Sequence, residues 1–196
     1  MKKENWEVKK LGEVCEINSK KSEIKDLDFN TDVSFVSMAD VSENGNLYLK
    51  EKKKLKEVWS GFTYFKNNDI LFAKITPCME NGKGTIAKRL VNNIGFGSTE
   101  FHVLRPKLKV TSDYIFHVLS LDNFRKIAER SMTGSAGQKR VPKKFLESFE
   151  ISIPTLPLQS QFAERINKIE EQKELVKQSI SQTQMLIDYT MDKYFN

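Results

Sequence analysis

One stretch of the chain, residues 131–165, reads SMTGSAGQKRVPKKFLESFEISIPTLPLQSQFAER and separates two kinds of sequence. Its first part, residues 133–140, is small, polar and basic without an apolar period, which is typical of an exposed loop. An apolar segment at residues 151–158 follows and contains Pro154 and Pro157. Proline is favoured at the start of a helix because its missing N–H has no partner there, so Pro157 predicts a helix start.

The residues after Pro157 predict one long helix with an apolar seam. Alternating steps of four and three residues give the heptad spacing of a coiled coil. The seam runs through Phe162, Ile166, Ile169, Lys173, Val176, Ile180, Thr183, Ile187, Thr190 and Tyr194, with Lys173 as an interruption. A helix over residues 159–195 would be about 55 Å long, more than the preceding domain can cover, so we expect a partner helix. The predicted dimer or partner-helix interface consists of Phe162, Ile166, Ile169, Val176, Ile180, Ile187 and Tyr194.

The residues before this stretch predict a compact domain rich in strands. Apolar runs of strand character occupy residues 33–38, 70–75, 85–87, 94–104 and 149–153, and Asn44-Gly45 marks a hairpin turn after the first of them. Gly95 and Gly97 indicate a bulge or a close backbone approach. Helical spacing over residues 113–130, with Ser112 as N-cap, predicts a helix that packs on the sheet. We expect an α/β fold of the α+β type, with a β-rich domain at residues 1–154 and a coiled-coil-forming helix at residues 155–196.

Length and charge narrow the possible functions. The chain has 196 residues, 39% of them apolar and 30% charged, which suits one domain with an appendage. No run approaches the roughly eighteen apolar residues that span a bilayer, and no apolar segment follows the N-terminal lysines, so we expect no signal peptide, no membrane contact and a cytoplasmic protein. Of the net charge of +6, residues 159–196 carry −1, which leaves +7 on residues 1–158. Such a charge is consistent with binding phosphate backbone, although it is also common in other soluble proteins.

Motifs for catalysis are missing from the sequence. The polar loop has the glycines and the lysine of a phosphate loop but not their spacing, and Arg140 stands where Ser or Thr is needed. His102 and His117 have no HExxH or carboxylate cluster around them, so we interpret both as structural. Cys15 and Cys78 lie far apart and outside metal-ligand spacing, which favours neither a zinc site nor a disulfide. We therefore expect no catalytic residue, no metal and no cofactor in this chain.

Two loops have a composition suited to reading a DNA duplex: the first loop, residues 76–84, and the second loop, residues 133–140. Lys and Arg neutralise phosphates or bond guanine, Asn and Gln bond adenine, and glycines let the backbone come close. The predicted DNA-binding residues are Lys74, Thr76, Asn81, Lys83, Ser98, Thr133, Ser135, Gln138, Lys139 and Arg140. Each loop alone is a weak signal, because surface loops are often polar and basic.

An ordered set of segments extends over nearly the whole chain. The segments are WEVKKLGEV (6–14), LFAKITP (71–77), ENGKG (80–84), GFGSTEFHVL (95–104), MTGSAGQKRVP (132–142) and IPTLPL (153–158) with Gln161. Together they resemble the specificity (S) subunit of type I restriction-modification systems. The ordered set is more specific than any one of its motifs.

This resemblance implies a target recognition domain that reads double-stranded DNA, followed by a spacer helix. It also implies a non-catalytic subunit that holds adenine methyltransferase subunits, which use S-adenosylmethionine, and that the restriction subunit joins. Family members usually have two recognition domains and two spacer helices, whereas this chain has one of each. It resembles a half-subunit whose homodimer would read a bipartite target with symmetric halves, although a chain cut from a longer gene would look the same.

Two other interpretations stay open. The chain could be a dimerising coiled-coil scaffold, or a silent recombination-cassette fragment, that does not itself read DNA. An enzyme is the third interpretation, and turnover by the isolated chain would support it.

Overall fold

The computed structural model describes residues 6–135 and 137–195. The first five residues, on which the prediction about a signal peptide rests, lie outside the described residues, as do Ala136 of the second loop and Asn196. The strands are β1 (Glu7–Lys10), β2 (Cys15–Ile17), β3 (Asp32–Val36), β4 (Glu51–Lys54), β5 (Thr63–Lys66), β6 (Ile70–Ala73), β7 (Gly84–Ile86), β8 (Ile94–Gly97), β9 (Phe101–Pro106) and β10 (Glu150–Ile153). The α-helices are α1 (Leu11–Val14), α2 (Leu55–Val58), α3 (Ser112–Ser120), α4 (Asp122–Ser131), α5 (Lys143–Ser148) and α6 (Leu156–Phe195), and short 3-10 helices lie at Lys21–Ile24, Met38–Asp40 and Val91–Asn93.

The chain divides into two compact units between Leu156 and Pro157. The second unit contains α6 from Pro157 onward, and the whole helix has 40 residues and is about 60 Å long. The first unit holds the strands and the shorter helices. The predicted α+β class with a long C-terminal helix is confirmed. Within the described residues, no helix combines the length and the apolar character needed to span a bilayer.

Two four-stranded sheets form the centre of the first unit. The first sheet has the order β2-β9-β6-β7, and the second has the order β4-β3-β8-β5. Most neighbours run antiparallel, whereas β3 and β8 run parallel. Strands β1 and β10 form a separate antiparallel pair, in which Glu7 lies opposite Ile153. This pair ties the start of the described chain to the segment just before α6.

Strand β6 is covered on both faces, which explains its unbroken apolar run. Side chains of a strand point alternately to opposite faces. Ile70 and Phe72 pack into the core formed with α3, α4 and α5, whereas Leu71 and Ala73 pack into the core between the two sheets. The first sheet is thus a buried layer, and the loops at its edge are held by a rigid base.

The prediction of one strand over residues 94–104 is wrong. The structure has two strands, β8 and β9, which belong to different sheets and are separated by a turn at residues 98–100. The predicted close approach at the glycines is confirmed. A Cβ on Gly95 would lie 2.1 Å from the ring of Phe65, and a Cβ on Gly97 would lie 2.2 Å from the Val36 carbonyl oxygen. The turn sends β9 into the first sheet, so the apolar run crosses from one sheet to the other.

The prediction of one helix over residues 113–130 is also wrong. Leu121 has an extended backbone (φ −65°, ψ 134°) and separates α3 from α4. The N-cap is Thr111 and not Ser112, because the Thr111 side chain accepts a hydrogen bond from the Tyr114 N–H. The break lets the apolar faces of both helices reach the same core.

The predicted hairpin at Asn44-Gly45 is reduced to a turn. Gly45 has a φ of +84°, and the turn closes a single bridge between Val41 and Leu47. The antiparallel neighbour of β3 is instead the lysine-rich strand β4, at the edge of the second sheet. Lysines on an edge strand hinder pairing with other chains.

Candidate nucleic-acid interface

The first loop connects β6 to β7 and is held by its own backbone. The Met79 N–H donates to the Ile75 carbonyl at 3.0 Å, and the Asn81 N–H donates to the Pro77 carbonyl at 3.0 Å. Gly82 has a φ of +87°, a conformation that favours glycine. The loop is therefore an ordered turn that presents the side chain of Asn81 on its outside.

The second loop connects α4 to α5 and closes on itself. Thr133 and Arg140 exchange two backbone hydrogen bonds, of 3.0 and 2.8 Å. Gly134 has a φ of +126°, and a Cβ there would lie 2.8 Å from the Gln138 carbonyl oxygen, so this position requires glycine. The backbone bonds hold the two ends of the loop together.

The two loops are joined to each other at one edge of the first sheet. The Thr76 N–H donates to the Lys139 carbonyl at 3.0 Å, and the Val141 N–H donates to the Lys74 carbonyl at 2.9 Å. The Lys74 N–H in turn donates to the Glu100 carbonyl at 2.9 Å. Three segments far apart in sequence thus meet: the two loops and the turn between β8 and β9.

An ion pair fixes the second loop on this turn. The guanidinium of Arg140 donates to the Glu100 carboxylate from Nε at 2.9 Å and from Nη2 at 2.8 Å, while its Nη1 donates to the Gln138 carbonyl at 2.9 Å. These hydrogen bonds from Arg140 hold the pKa of the Glu100 carboxyl below its ordinary value. Burial lowers the pKa of the nearby Lys74 ammonium, Glu100 opposes that shift, and Arg140 adds to it.

Two contacts of the buried side chain of His102 support the same edge. His102 Nε2 lies 2.8 Å from the Val141 carbonyl and Nδ1 lies 3.2 Å from the Asn18 side-chain nitrogen. These partners assign the proton to Nε2, because Nδ1 accepts from the amide. Burial lowers the pKa of His102, which favours the neutral ring.

The predicted DNA-binding residues fall into two groups. The exposed ones are Asn81, Thr133, Ser135, Gln138 and Lys139, and the partly buried ones are Lys74, Thr76, Lys83, Ser98 and Arg140. Several of the second group are bonded internally: Lys83 Nζ donates to the Met38 carbonyl at 3.2 Å, and Thr76 Oγ1 donates to Glu80 at 2.7 Å.

Five exposed side chains remain available for a ligand. Within residues 6–135 and 137–195, no hydrogen-bond or ion-pair partner exists for the side chains of Asn81, Thr133, Ser135, Gln138 and Lys139. An amide can donate and accept at once, which suits the edge of adenine, and an ammonium suits phosphate or guanine.

Two further residues shape the loops, Glu100 and Arg125, and neither is among the residues predicted from the sequence. Glu100 pairs with Arg140 across forty positions, and no local pattern reveals such a pair. Arg125 on α4 donates to carbonyls of the first loop. A signal existed for Arg125, because it lies three residues before the buried Ala128 and so on the core side of its helix.

The predicted partner-helix residues lie along α6. Val176, Ile180, Ile187 and Tyr194 are exposed, with 49% to 70% of their surface accessible. Leu186 and Met191 broaden the apolar surface toward the end of the helix, and they are also exposed. An apolar stripe of this length in water is typical of a helix that pairs with another helix.

The fold is that of specificity subunits of type I restriction-modification systems. The HsdS subunit from Thermoanaerobacter tengcongensis matches with a TM-score of 0.74 at 17% identity, over 97% of this chain and 48% of that chain.

The chain belongs to the family described as type I restriction modification DNA specificity domain, whose model matches residues 3–184. It is similar to the type I restriction enzyme EcoAI specificity subunit of Escherichia coli, with 43% identity over 160 residues, 81% of this chain and 26% of the relative. The EcoEI specificity subunit of Escherichia coli is 39% identical over 168 residues, 85% of this chain and 28% of the relative. The chain thus spans about a quarter of the length of these curated relatives. The predicted family is confirmed.

Proposed function

We propose that this chain recognises a DNA sequence for a type I restriction-modification complex and has no catalytic activity of its own. The proposal rests on the backbone hydrogen bonds that join the two loops at one edge of the first sheet, where Gln138 and Lys139 are exposed on the second loop. Loops fixed to a rigid base lose little conformational entropy on binding, and their amide and ammonium groups match base edges and phosphates. The net charge of +7 on residues 1–158 favours the approach of DNA.

We infer that one chain reads one half of a bipartite target. The described residues form a single β-rich unit and a single long helix, and the chain aligns with about half of the solved subunit. Two copies that pair antiparallel through α6 would cover the exposed seam of each helix and present two identical domains to DNA. The target of such a homodimer has two symmetric halves.

The proposed partners follow from the family. Adenine methyltransferase subunits would dock on this chain and would bind S-adenosylmethionine themselves, so the chain needs no cofactor. A restriction subunit could join the complex, and the cytoplasm is the expected location.

A binding experiment on Lys139 tests DNA reading. The full chain, mixed with its methyltransferase subunit, is first used to select a preferred sequence from a library of random duplexes. Lys139→Gln should then weaken binding to that sequence and reduce the slope of log K against log salt by about 0.9, the loss of one phosphate contact. Lys25→Gln removes another exposed charge, one outside both loops, and serves as the matched control. Selection that yields no sequence preference would refute the proposal.

A scaffold without DNA reading is the second candidate, because the exposed seam of α6 predicts self-association whether or not the loops bind DNA. This candidate predicts that Lys139→Gln changes neither the affinity for DNA nor its salt dependence.

Sedimentation of the full chain tests the homodimer. Replacement of Ile166, Val176 and Ile180 by Glu should abolish the dimer, because three charges would be buried in the seam. Glu at Asn167, Gln178 and Gln182, on the opposite side of α6 at 3.6 residues per turn, is the control and should leave the dimer intact. A wild-type monomer at micromolar concentration would contradict pairing through α6.

A further inference from the structure

Arg125 is a buried cation whose hydrogen bonds go only to backbone. It lies on α4 and is 8% exposed. Nη1 donates to the Met79 carbonyl at 2.8 Å, Nη2 donates to the Gly82 carbonyl at 3.1 Å, and the guanidinium carbon lies 4.8 Å from the centre of the Phe72 ring. Among the described residues, no carboxylate forms an ion pair with it.

The burial of Arg125 without a paired carboxylate costs free energy, so its hydrogen bonds to the first loop need an explanation. A buried charge without a paired opposite charge is unfavourable, and an apolar side chain of the same length would pack against Phe72 without that cost. Burial lowers the pKa of Arg125 to about 10, so the guanidinium still carries its charge at neutral pH. The favourable terms are the two charged hydrogen bonds to carbonyls of the first loop and the contact with the ring face.

The two carbonyls lie on either side of one exposed side chain. Met79 precedes Glu80 and Asn81, and Gly82 follows them, so the fork of Arg125 holds both ends of this short segment. The Met79 carbonyl also accepts from the Gly82 N–H at 3.1 Å, which closes the turn around the same atom. The direction in which Asn81 points is thereby tied to α4.

We infer that Arg125 is a positioning residue for sequence discrimination, because its fork sets the first loop in the conformation in which Asn81 meets a base. The inference rests on the proposed DNA-reading function. Arg125 does not itself reach DNA in this scheme, since its guanidinium is buried behind the loop. Its loss should therefore reduce discrimination between sequences and leave the general attraction to phosphates unchanged.

The first arm of the test uses the chain alone. Arg125→Met keeps the apolar stem over Phe72 and removes the fork, and Lys126→Met removes a charge from the next, exposed position of α4. Hydrogen exchange of the amides of residues 79–84 should become at least about tenfold faster in Arg125→Met and stay unchanged in Lys126→Met. Equal exchange rates in both variants would overturn the positioning role. If circular dichroism shows that Arg125→Met is unfolded, Arg125→Lys, which can bond one carbonyl, should show the same change to a smaller degree.

The second arm uses the chain with its methyltransferase subunit, the selected duplex and a scrambled duplex. The ratio of the two affinities should fall at least about fivefold in Arg125→Met, the lower range for one bidentate base contact. Binding to the scrambled duplex should stay within about twofold of that of Lys126→Met, the charge-matched control. Asn81→Ala should lose the same ratio, and the double variant should lose no more, because both changes remove one contact.

The outcomes of the two arms separate the inference from the proposed function. Faster exchange with an unchanged affinity ratio would mean that the first loop does not discriminate, and the inference would fail. Additive losses in the double variant would mean that Arg125 acts on something other than Asn81, which would also overturn it. If the wild type discriminates between no sequences, the proposed function fails, and the exchange arm still decides whether Arg125 orders the loop.

Discussion

Replacement of Asp69 by Asn is expected to lower the free energy of unfolding of the first unit by about 2–3 kcal/mol. Asp69 stands at the turn between β5 and β6, and its side chain is 1% exposed. It accepts hydrogen bonds from Arg105 Nε at 2.8 Å, from Arg105 Nη2 at 2.7 Å and from the Lys66 N–H at 2.8 Å. Because Lys66 belongs to the second sheet and Arg105 to the first, this carboxylate ties the two sheets together.

The magnitude follows from how much of the pair is buried. Removal of one partner from a buried ion pair costs about 3–5 kcal/mol, because the other charge is left uncompensated. Arg105 is 21% exposed and also donates to Glu23 at 2.8 Å, so part of its compensation survives. We therefore expect a loss just below this range, about 2–3 kcal/mol. In a domain of this size it corresponds to a fall in Tm of roughly 5–10 °C.

Urea denaturation of the full chain, followed by tryptophan fluorescence, measures the effect, since Trp6 and Trp59 both lie in the first unit. Asp32→Asn is the matched control, because Asp32 pairs with Lys54 at 2.8 Å and both side chains are about half exposed. Pairs of that kind contribute below about 1 kcal/mol. A loss at Asp69 no larger than the loss at Asp32 would refute the account of the two sheets held by a buried carboxylate.

Two further predictions concern the first unit. Gly95→Ala should destabilise it by about 1–3 kcal/mol, because the new Cβ would lie 2.1 Å from the buried Phe65 ring, and Phe65→Leu in the same chain should recover part of the loss in urea denaturation. Burial lowers the pKa of His102, so the stability that its neutral ring contributes is fully present above about pH 6.5 and is lost as the pH falls toward the native pKa. The loss is at most about 1.4 kcal/mol per pH unit, because the unfolded chain takes up a proton that the buried ring resists. The difference between the free energies of unfolding at pH 7.5 and pH 5.5 should be smaller in His102→Gln than in the wild type. An equal difference would contradict the account of a buried, neutral His102.

Local sequence patterns predicted those strands and helices that are determined by residues close together in the chain. The unbroken apolar run of β6 marks a strand covered on both faces, and the heptad spacing after Pro157 marks α6. The turn that separates β8 from β9 escaped prediction, because each strand is apolar and the break is caused by their assignment to different sheets. Leu121 escaped for a similar reason: no proline or glycine marks the break, and its cause is the packing of two helices on one core.

In the candidate site too, some features follow from the local sequence, whereas others depend on contacts between residues far apart in the chain. Composition located both loops, since glycines and polar residues mark exposed turns wherever the chain leads. Composition could not distinguish Arg140 from Lys139, two adjacent cations in one loop. The difference is the Glu100 carboxylate, which the fold brings to the Arg140 guanidinium and not to the Lys139 ammonium. A loop needs some charges to hold its own shape and others to meet a ligand, and a residue's partner in the folded chain decides which role it takes. We therefore expect loss of Lys139 to reduce the salt slope of DNA binding and loss of Arg140 to release the second loop from the turn that supports it.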